Sequence, residues 1–166
     1  IPKGFRLANK KKFISGIFSG NTINTPSMLC VEDALDSLEW IKSIGGLSKL
    51  IERSQNSFTH ISNWISKTSC FEFLNSDEKI CSNTSVTFRI SAEWFNRLEL
   101  EKQKEVMKKI TKLLEEENIA YDINGYTKAP PSFRVWAGGT VDPKDVSLLL
   151  PWIEWAYNII QIDYNI

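Results

Sequence analysis

Ser85-Val86-Thr87-Phe88-Arg89-Ile90 alternates large apolar and polar side chains, the period of a strand that buries one face. Val86, Phe88 and Ile90 fall on one side; Thr87 and Arg89 fall on the other. Working outward, Cys70-Phe71-Glu72-Phe73-Leu74 reads as a second strand, joined to the first through a polar loop over 75–83. Downstream the period lengthens. Val106, Met107, Ile110, Leu113 and Leu114 repeat at helical spacing within a charged segment from about Glu101 to Asn118. Ala120 to Ile123 and Phe133 to Trp136 read as short strands. Between them Asn124-Gly125-Tyr126-Thr127-Lys128-Ala129-Pro130-Pro131 is rich in turn formers. Asp142-Pro143 opens a final helix, a capping residue followed by proline at the first helical position. Its apolar face is Val146, Leu149, Leu150, Ile153 and Tyr157, and Pro151 within it is expected to kink or restart the helix. The order strand, strand, helix, strand, strand, helix predicts an α/β class fold of α+β type. Its economical form is a small, mainly antiparallel sheet covered by helices.

Upstream of this block the spacing predicts two long helices, about Pro26 to Ile44 and Leu47 to Lys67. Val31, Leu35, Leu38 and Ile41 form a stripe on the first. Leu47, Leu50, Ile51, Phe58, Ile61 and Ile65 mark the expected buried face of the second. Gly45-Gly46 stops the first helix and is a hinge where the chain can turn between two structural units. Residues 1 to 24 read as irregular with short extended pieces, and Lys10-Lys11-Lys12 reads as a solvated turn.

Composition narrows the function. The chain has 166 residues, 42% of them hydrophobic, which suffices for a real core. Its formal net charge is zero, so nothing in the global balance asks for nucleic acid or an anionic membrane. No apolar run approaches membrane-spanning length. Cys30, Cys70 and Cys81 have no metal-ligand spacing, and a reduced, cytoplasmic chain with packing thiols is the simplest expectation. His60 is the only histidine, and no nucleophile-elbow or zinc-histidine motif accompanies it, so no metal site is expected. Ile1-Pro2-Lys3-Gly4-Phe5-Arg6-Leu7 reads as mid-chain text, and the expectation is a piece of a longer protein.

Two places carry chemistry. Asn24-Thr25-Pro26-Ser27 sets a polar turn at the start of a helix, with Thr25 as the expected cap and Pro26 at the first helical position. Backbone N–H groups and the positive end of the helix dipole make such a start suitable for an anion, although a plain cap is the simpler role. Arg134 lies within Ser132-Phe133-Arg134-Val135-Trp136, between a Pro-Pro turn and Gly138-Gly139. A guanidinium on a strand suits bidentate capture of a carboxylate; the simpler alternative is a sheet-edge arginine paired with a local acid.

These residues also carry a resemblance. Ile1-Pro2-Lys3, Phe5-Arg6-Leu7, the block Thr22 to Asp33, and Ser43-Ile44-Gly45-Gly46-Leu47 are followed by Ser82-Asn83-Thr84-Ser85-Val86 and Ala120-Tyr121-Asp122-Ile123. Ala129-Pro130, Arg134-Val135-Trp136, Pro151-Trp152 and Trp155-Ala156 continue it to the end, in order. Together they resemble the phosphoserine aminotransferases, a family of the class V aminotransferases, and in particular their C-terminal portion. The resemblance implies a fold-type I enzyme that uses pyridoxal 5'-phosphate. Its reaction moves an amino group between glutamate or 2-oxoglutarate and 3-phosphohydroxypyruvate or phosphoserine, in serine biosynthesis. By the same resemblance, Asn24 and Thr25 bind the cofactor phosphate across a homodimer interface, and Arg134 holds the substrate α-carboxylate. Thr127 stands where relatives place an arginine, and Lys128 beside it is the remaining candidate for the substrate phosphate. No catalytic residue is assigned, because the resemblance places the Schiff-base lysine upstream of Ile1; alone, the chain is expected to be inactive. Residues 1–45 would be the end of the large cofactor-binding domain with its interface segment and linking helix; 46–166 would be the small C-terminal domain. The alternatives left open are another class V aminotransferase acting on an unphosphorylated amino acid, and a non-catalytic small-ligand-binding module.

Overall fold

The computed structural model describes residues 8, 9, 12–22 and 24–164. Ile1 to Leu7, and Lys10 and Lys11 of the basic run, lie outside the described residues. The chain divides into two compact units, Ile1–Ile44 and Gly45–Ile166.

In the first unit a two-residue strand β1 (Ala8–Asn9) pairs antiparallel with β2 (Lys12–Phe13). A 3-10 turn over Ser15–Ser19 follows, and the Phe13 and Phe18 rings stack at 5.4 Å. The long helix α1 spans Met28–Ser43. It begins later than the cap-proline pattern predicts. Ser27 is the capping position, is still extended at ψ 118, and makes no side-chain cap bond. Thr25 and Pro26 therefore belong to the approach to α1 rather than to its first turn. Upstream, the Thr22 hydroxyl donates to the Asn24 carbonyl at 2.7 Å. No residue of α1 is buried, and Val31, Leu35 and Leu38 of its apolar stripe are exposed.

Gly45 and Gly46 separate α1 from α2 with φ of 108 and 80, left-handed values that glycine adopts without a Cβ penalty. Helix α2 (Leu47–Lys67) opens the second unit. Its buried side is Ser54, Ser57, Ile61 and Ile65, whereas Leu47 and Ile51 are exposed, contrary to the expected face. The C-terminal half of α2 carries the packing. Trp64 reaches the sheet, lying 4.8 Å from the Phe71 ring and 5.4 Å from Phe88.

The sheet has order β3-β4-β5, formed by Phe71–Phe73, Ser85–Ile90 and Phe133–Trp136, all antiparallel. The alternation in β4 is realised: Val86, Phe88 and Ile90 are fully buried, while Arg89 faces out and pairs with Glu72 of β3. After β4 come a short helix α3 (Glu93–Asn96), which the sequence pattern does not announce, and α4 (Leu100–Glu116). Val106, Met107, Ile110 and Leu114 of α4 are buried as the spacing requires. The last helix, α5 (Pro143–Ile162), packs on both α2 and α4. Asp142 caps it, its carboxylate accepting from the Lys144 N–H at 2.9 Å. Helix α5 runs through Pro151 as one element. Its Tyr157 completes an aromatic cluster with Phe71 and Trp94 and accepts a 2.9 Å hydrogen bond from the Trp94 indole. Burial pushes the Tyr157 phenol above its ordinary pKa, and does the same to the Cys70 thiol, with Glu154 adding to the latter effect.

One expected strand is reduced to a single bridge. Residues 120–123 are not a strand; Asn124 alone pairs with Phe133. Asp122 takes φ 53, which leaves the extended region and confines pairing to the few residues after it. The Arg134 N–H still reaches the Ile123 carbonyl at 2.8 Å.

Candidate functional site

Strand register decides where Arg134 points. Phe133 and Val135 are buried in β5, opposite Phe88 and Val86 of β4. Alternation then sends Arg134, opposite Thr87, to the other face of the sheet. Its guanidinium is held from two directions. Nη2 donates to the Asp122 carboxylate at 2.8 Å and to the Asp122 carbonyl at 3.3 Å. The Tyr126 ring lies over it, 4.6 Å from Cζ, in cation–π geometry. The arginine side chain is only 17% exposed, whereas that of Asp122 is 88% exposed. Nε is buried and has no acceptor. A planar guanidinium with one side-on edge half used is chemically a receptor for a carboxylate.

A hollow of about 290 Å³ opens beside this pair and includes Tyr121, Trp136 and Asp145 in its lining. Lys128 lines a different hollow of about 630 Å³, with Arg89 and Lys104 and the Pro130-Pro131 turn. The two hollows share no lining residue, so Lys128 and Arg134 are not gathered into one cavity. Arg89 is paired with Glu72 and Lys104 with Glu101; Lys128 makes no ion pair among the described residues.

Asn24 and Thr25 belong to the first unit and are exposed, with no side-chain hydrogen bond among the described residues. They precede a helix whose first N–H groups receive no side-chain cap. Amide, hydroxyl and uncapped helix-start N–H groups form a donor set that fits a phosphate.

Gly138-Gly139 is not part of the arginine site. A Cβ on Gly139 would come within 2.8 Å of the Leu50 backbone oxygen, and the Gly139 carbonyl accepts from Arg53 of α2 at 2.8 Å. Gly139 therefore serves close packing against α2, while Gly138 leaves room for the Trp136 ring. Asp122 and Tyr126 are the functional candidates that local pattern does not single out. The one available signal was residue type, since aspartate tolerates left-handed backbone in a turn. Among the described residues no group of three or more His, Cys, Asp or Glu side chains could hold a metal ion. Nor is any described helix long and apolar enough to cross a membrane.

No family model matches the chain. Two curated relatives do. Phosphoserine aminotransferase of Methanosarcina barkeri is 40% identical over 161 residues, and that of Methanosarcina mazei is 39% identical over 161. Each match covers 97% of this chain but 41% of the relative, so the chain spans about two fifths of their length. Among solved structures, phosphoserine aminotransferase from Bacillus circulans subsp. alkalophilus superposes with a TM-score of 0.70 at 18% identity, covering 86% of this chain and 36% of that one. That likeness is one of fold, an α/β arrangement in which a small antiparallel sheet is covered by helices. Matched over nearly all its residues, the chain is similar in sequence to about two fifths of each of these phosphoserine aminotransferases.

Proposed function

We propose that this chain is the C-terminal part of a pyridoxal-phosphate-dependent phosphoserine aminotransferase, a cytoplasmic homodimer. In the whole enzyme it would exchange the amino group between glutamate and 3-phosphohydroxypyruvate. The observation that carries this reading is the 161-residue match at 40% identity. On this reading residues 1–45 end the large domain and 46–166 form the small domain. The lysine that anchors the cofactor lies outside this chain, which is inactive alone.

Within this chain the work is binding and orientation. Asn24 and Thr25, with the N–H groups at the start of α1, hold the cofactor phosphate from the partner's side of the dimer interface. The bound cofactor supplies an electron sink for the negative charge formed when the substrate loses its Cα proton. Arg134 takes the substrate α-carboxylate through the edge of its guanidinium, with Tyr126 limiting its rotation from one face. Fixing the carboxylate orients the Cα–H bond, and closure of the small domain excludes water. Lys128 binds the substrate phosphate as a point charge.

A second reading keeps the chemistry but changes the substrate: a class V aminotransferase for an unphosphorylated amino acid. The separation of the Lys128 hollow from the Arg134 hollow favours it. One assay tests both. The full-length protein, loaded with cofactor, is given 2-oxoglutarate with either phosphoserine or serine. We expect glutamate to form with phosphoserine at least about tenfold faster at equal concentration, a difference near 1.4 kcal/mol. Preference for serine would select the second reading, and no transfer from any amino acid would defeat both.

A further inference from the structure

Arginine presents Nε–H and Nη2–H along one side-on edge, the edge that grips both oxygens of a carboxylate. In this protein that edge is unevenly used. Nη2 already has two acceptors, both from Asp122: the carboxylate at 2.8 Å and the main-chain carbonyl at 3.3 Å. Nε is buried with none. A buried N–H without an acceptor costs roughly as much as a lost hydrogen bond, so this pairing is incomplete.

Asp122 is also an unusual partner. Its carboxylate is largely in water, so the ion pair itself contributes little to stability. Yet its backbone is held at φ 53, away from the strand conformation that its neighbours would otherwise continue. The hollow beside Arg134 carries two carboxylates, Asp122 and Asp145, against the one guanidinium. An anionic ligand arriving there meets a cation that is already neutralised.

We infer that Asp122 is an internal occupant of the Arg134 guanidinium, which a ligand's carboxylate must displace, and that this exchange sets how tightly carboxylate substrates bind. The inference rests on the proposed role of Arg134 as carboxylate clamp. The incoming carboxylate takes Nη2 and Nε together, two charge-assisted bonds where Asp122 makes one. Asp122 swings back into water, where its charge is solvated without further partners. The exchange weakens binding of every carboxylate, and it weakens most those ligands that reach Nη2 alone. Asp122 thus favours ligands whose carboxylate can meet the edge side-on.

The test uses the full-length holoenzyme and glutarate, a dicarboxylate without an amino group to transfer. Its Kd is measured by calorimetry, and the KM for glutamate is measured alongside. Asp122→Asn keeps a residue that tolerates φ 53 and removes the charge. We expect glutarate to bind roughly three- to tenfold more tightly and the glutamate KM to fall in step. In an Arg134→Ala background the same change is expected to gain nothing. If Asp122→Asn does not fold, Asp122→Gly, unstrained at that φ, replaces it. Unchanged or weaker binding in Asp122→Asn, with Arg134→Ala still impairing the enzyme, overturns the exchange and leaves the clamp standing. An equal gain in the Arg134→Ala background shows a general charge effect and also overturns it. If Arg134→Ala binds glutarate as the wild type does, the clamp itself falls and the exchange with it.

Discussion

Arg134 shows what a single residue's identity can and cannot specify. Its chemistry was legible: a guanidinium on a short strand suits a carboxylate. The acid that meets it was not, because Asp122 lies twelve positions away and reaches Nη2 only through the turn at its own left-handed backbone. The glycine pair after β5 teaches the converse. Gly138-Gly139 follows the arginine strand closely, but the close approach at Gly139 is used by Leu50 and Arg53 of α2. At Asn24 the structure leaves an exposed amide before an uncapped helix start. If it holds the cofactor phosphate as proposed, Asn24→Ala in the full-length protein lowers cofactor retention. The change leaves the thermal midpoint of the cofactor-free protein within a degree or so, since an exposed side chain with no hydrogen bond contributes little to folding. Full cofactor absorbance after gel filtration of the variant would reduce Asn24 to a turn residue.

Among the elements, the periodic helices and all three strands of the main sheet were legible, whereas the short helix α3 was not. Strand β4 and helices α4 and α5 bury the side chains that their spacing marks. Helix α2 buries Ile61 and Ile65 of the face its spacing marks, with Ser54 and Ser57 on the same side, while Leu47 and Ile51 near its start stay exposed. Residues 120–123 look like a strand in composition, but one positive φ removes them from the ladder. Pro151 was expected to kink or restart α5, and the helix does not restart but continues through it. Proline has no N–H to return to the preceding turn, so that turn lacks one bond; Pro151 is exposed, where water can satisfy the freed carbonyl. Pro151→Ala is therefore expected to raise stability by about 2–2.5 kcal/mol, the interior-proline cost of ~3 kcal/mol less the ~0.4–1 kcal/mol of entropy that proline removes from the unfolded chain. Urea unfolding measures it, and a variant no more stable than wild type would show that α5 accommodates the ring at no cost.

At the scale of the whole molecule, the second unit holds the described hydrophobic core, whereas α1 in the first buries no residue. Residues 45–166 expressed alone are accordingly expected to unfold in urea in one cooperative step, with a midpoint close to that of residues 1–166. A broad, probe-dependent transition would show that the second unit needs the first. Local pattern alone specified the class of fold, the order of most elements, the glycine break at Gly45-Gly46 and the residue types proposed to grip a carboxylate or a phosphate. Those depend on side-chain period, glycine's backbone freedom and functional-group chemistry, all of which are written in neighbouring residues. Tertiary structure alone decided how much of the α2 face is covered, where the sheet ends, and that Asp122, Tyr126 and Arg134 meet while Lys128 opens elsewhere. These are long-range outcomes of strand register and helix docking, and no short window of sequence contains both partners.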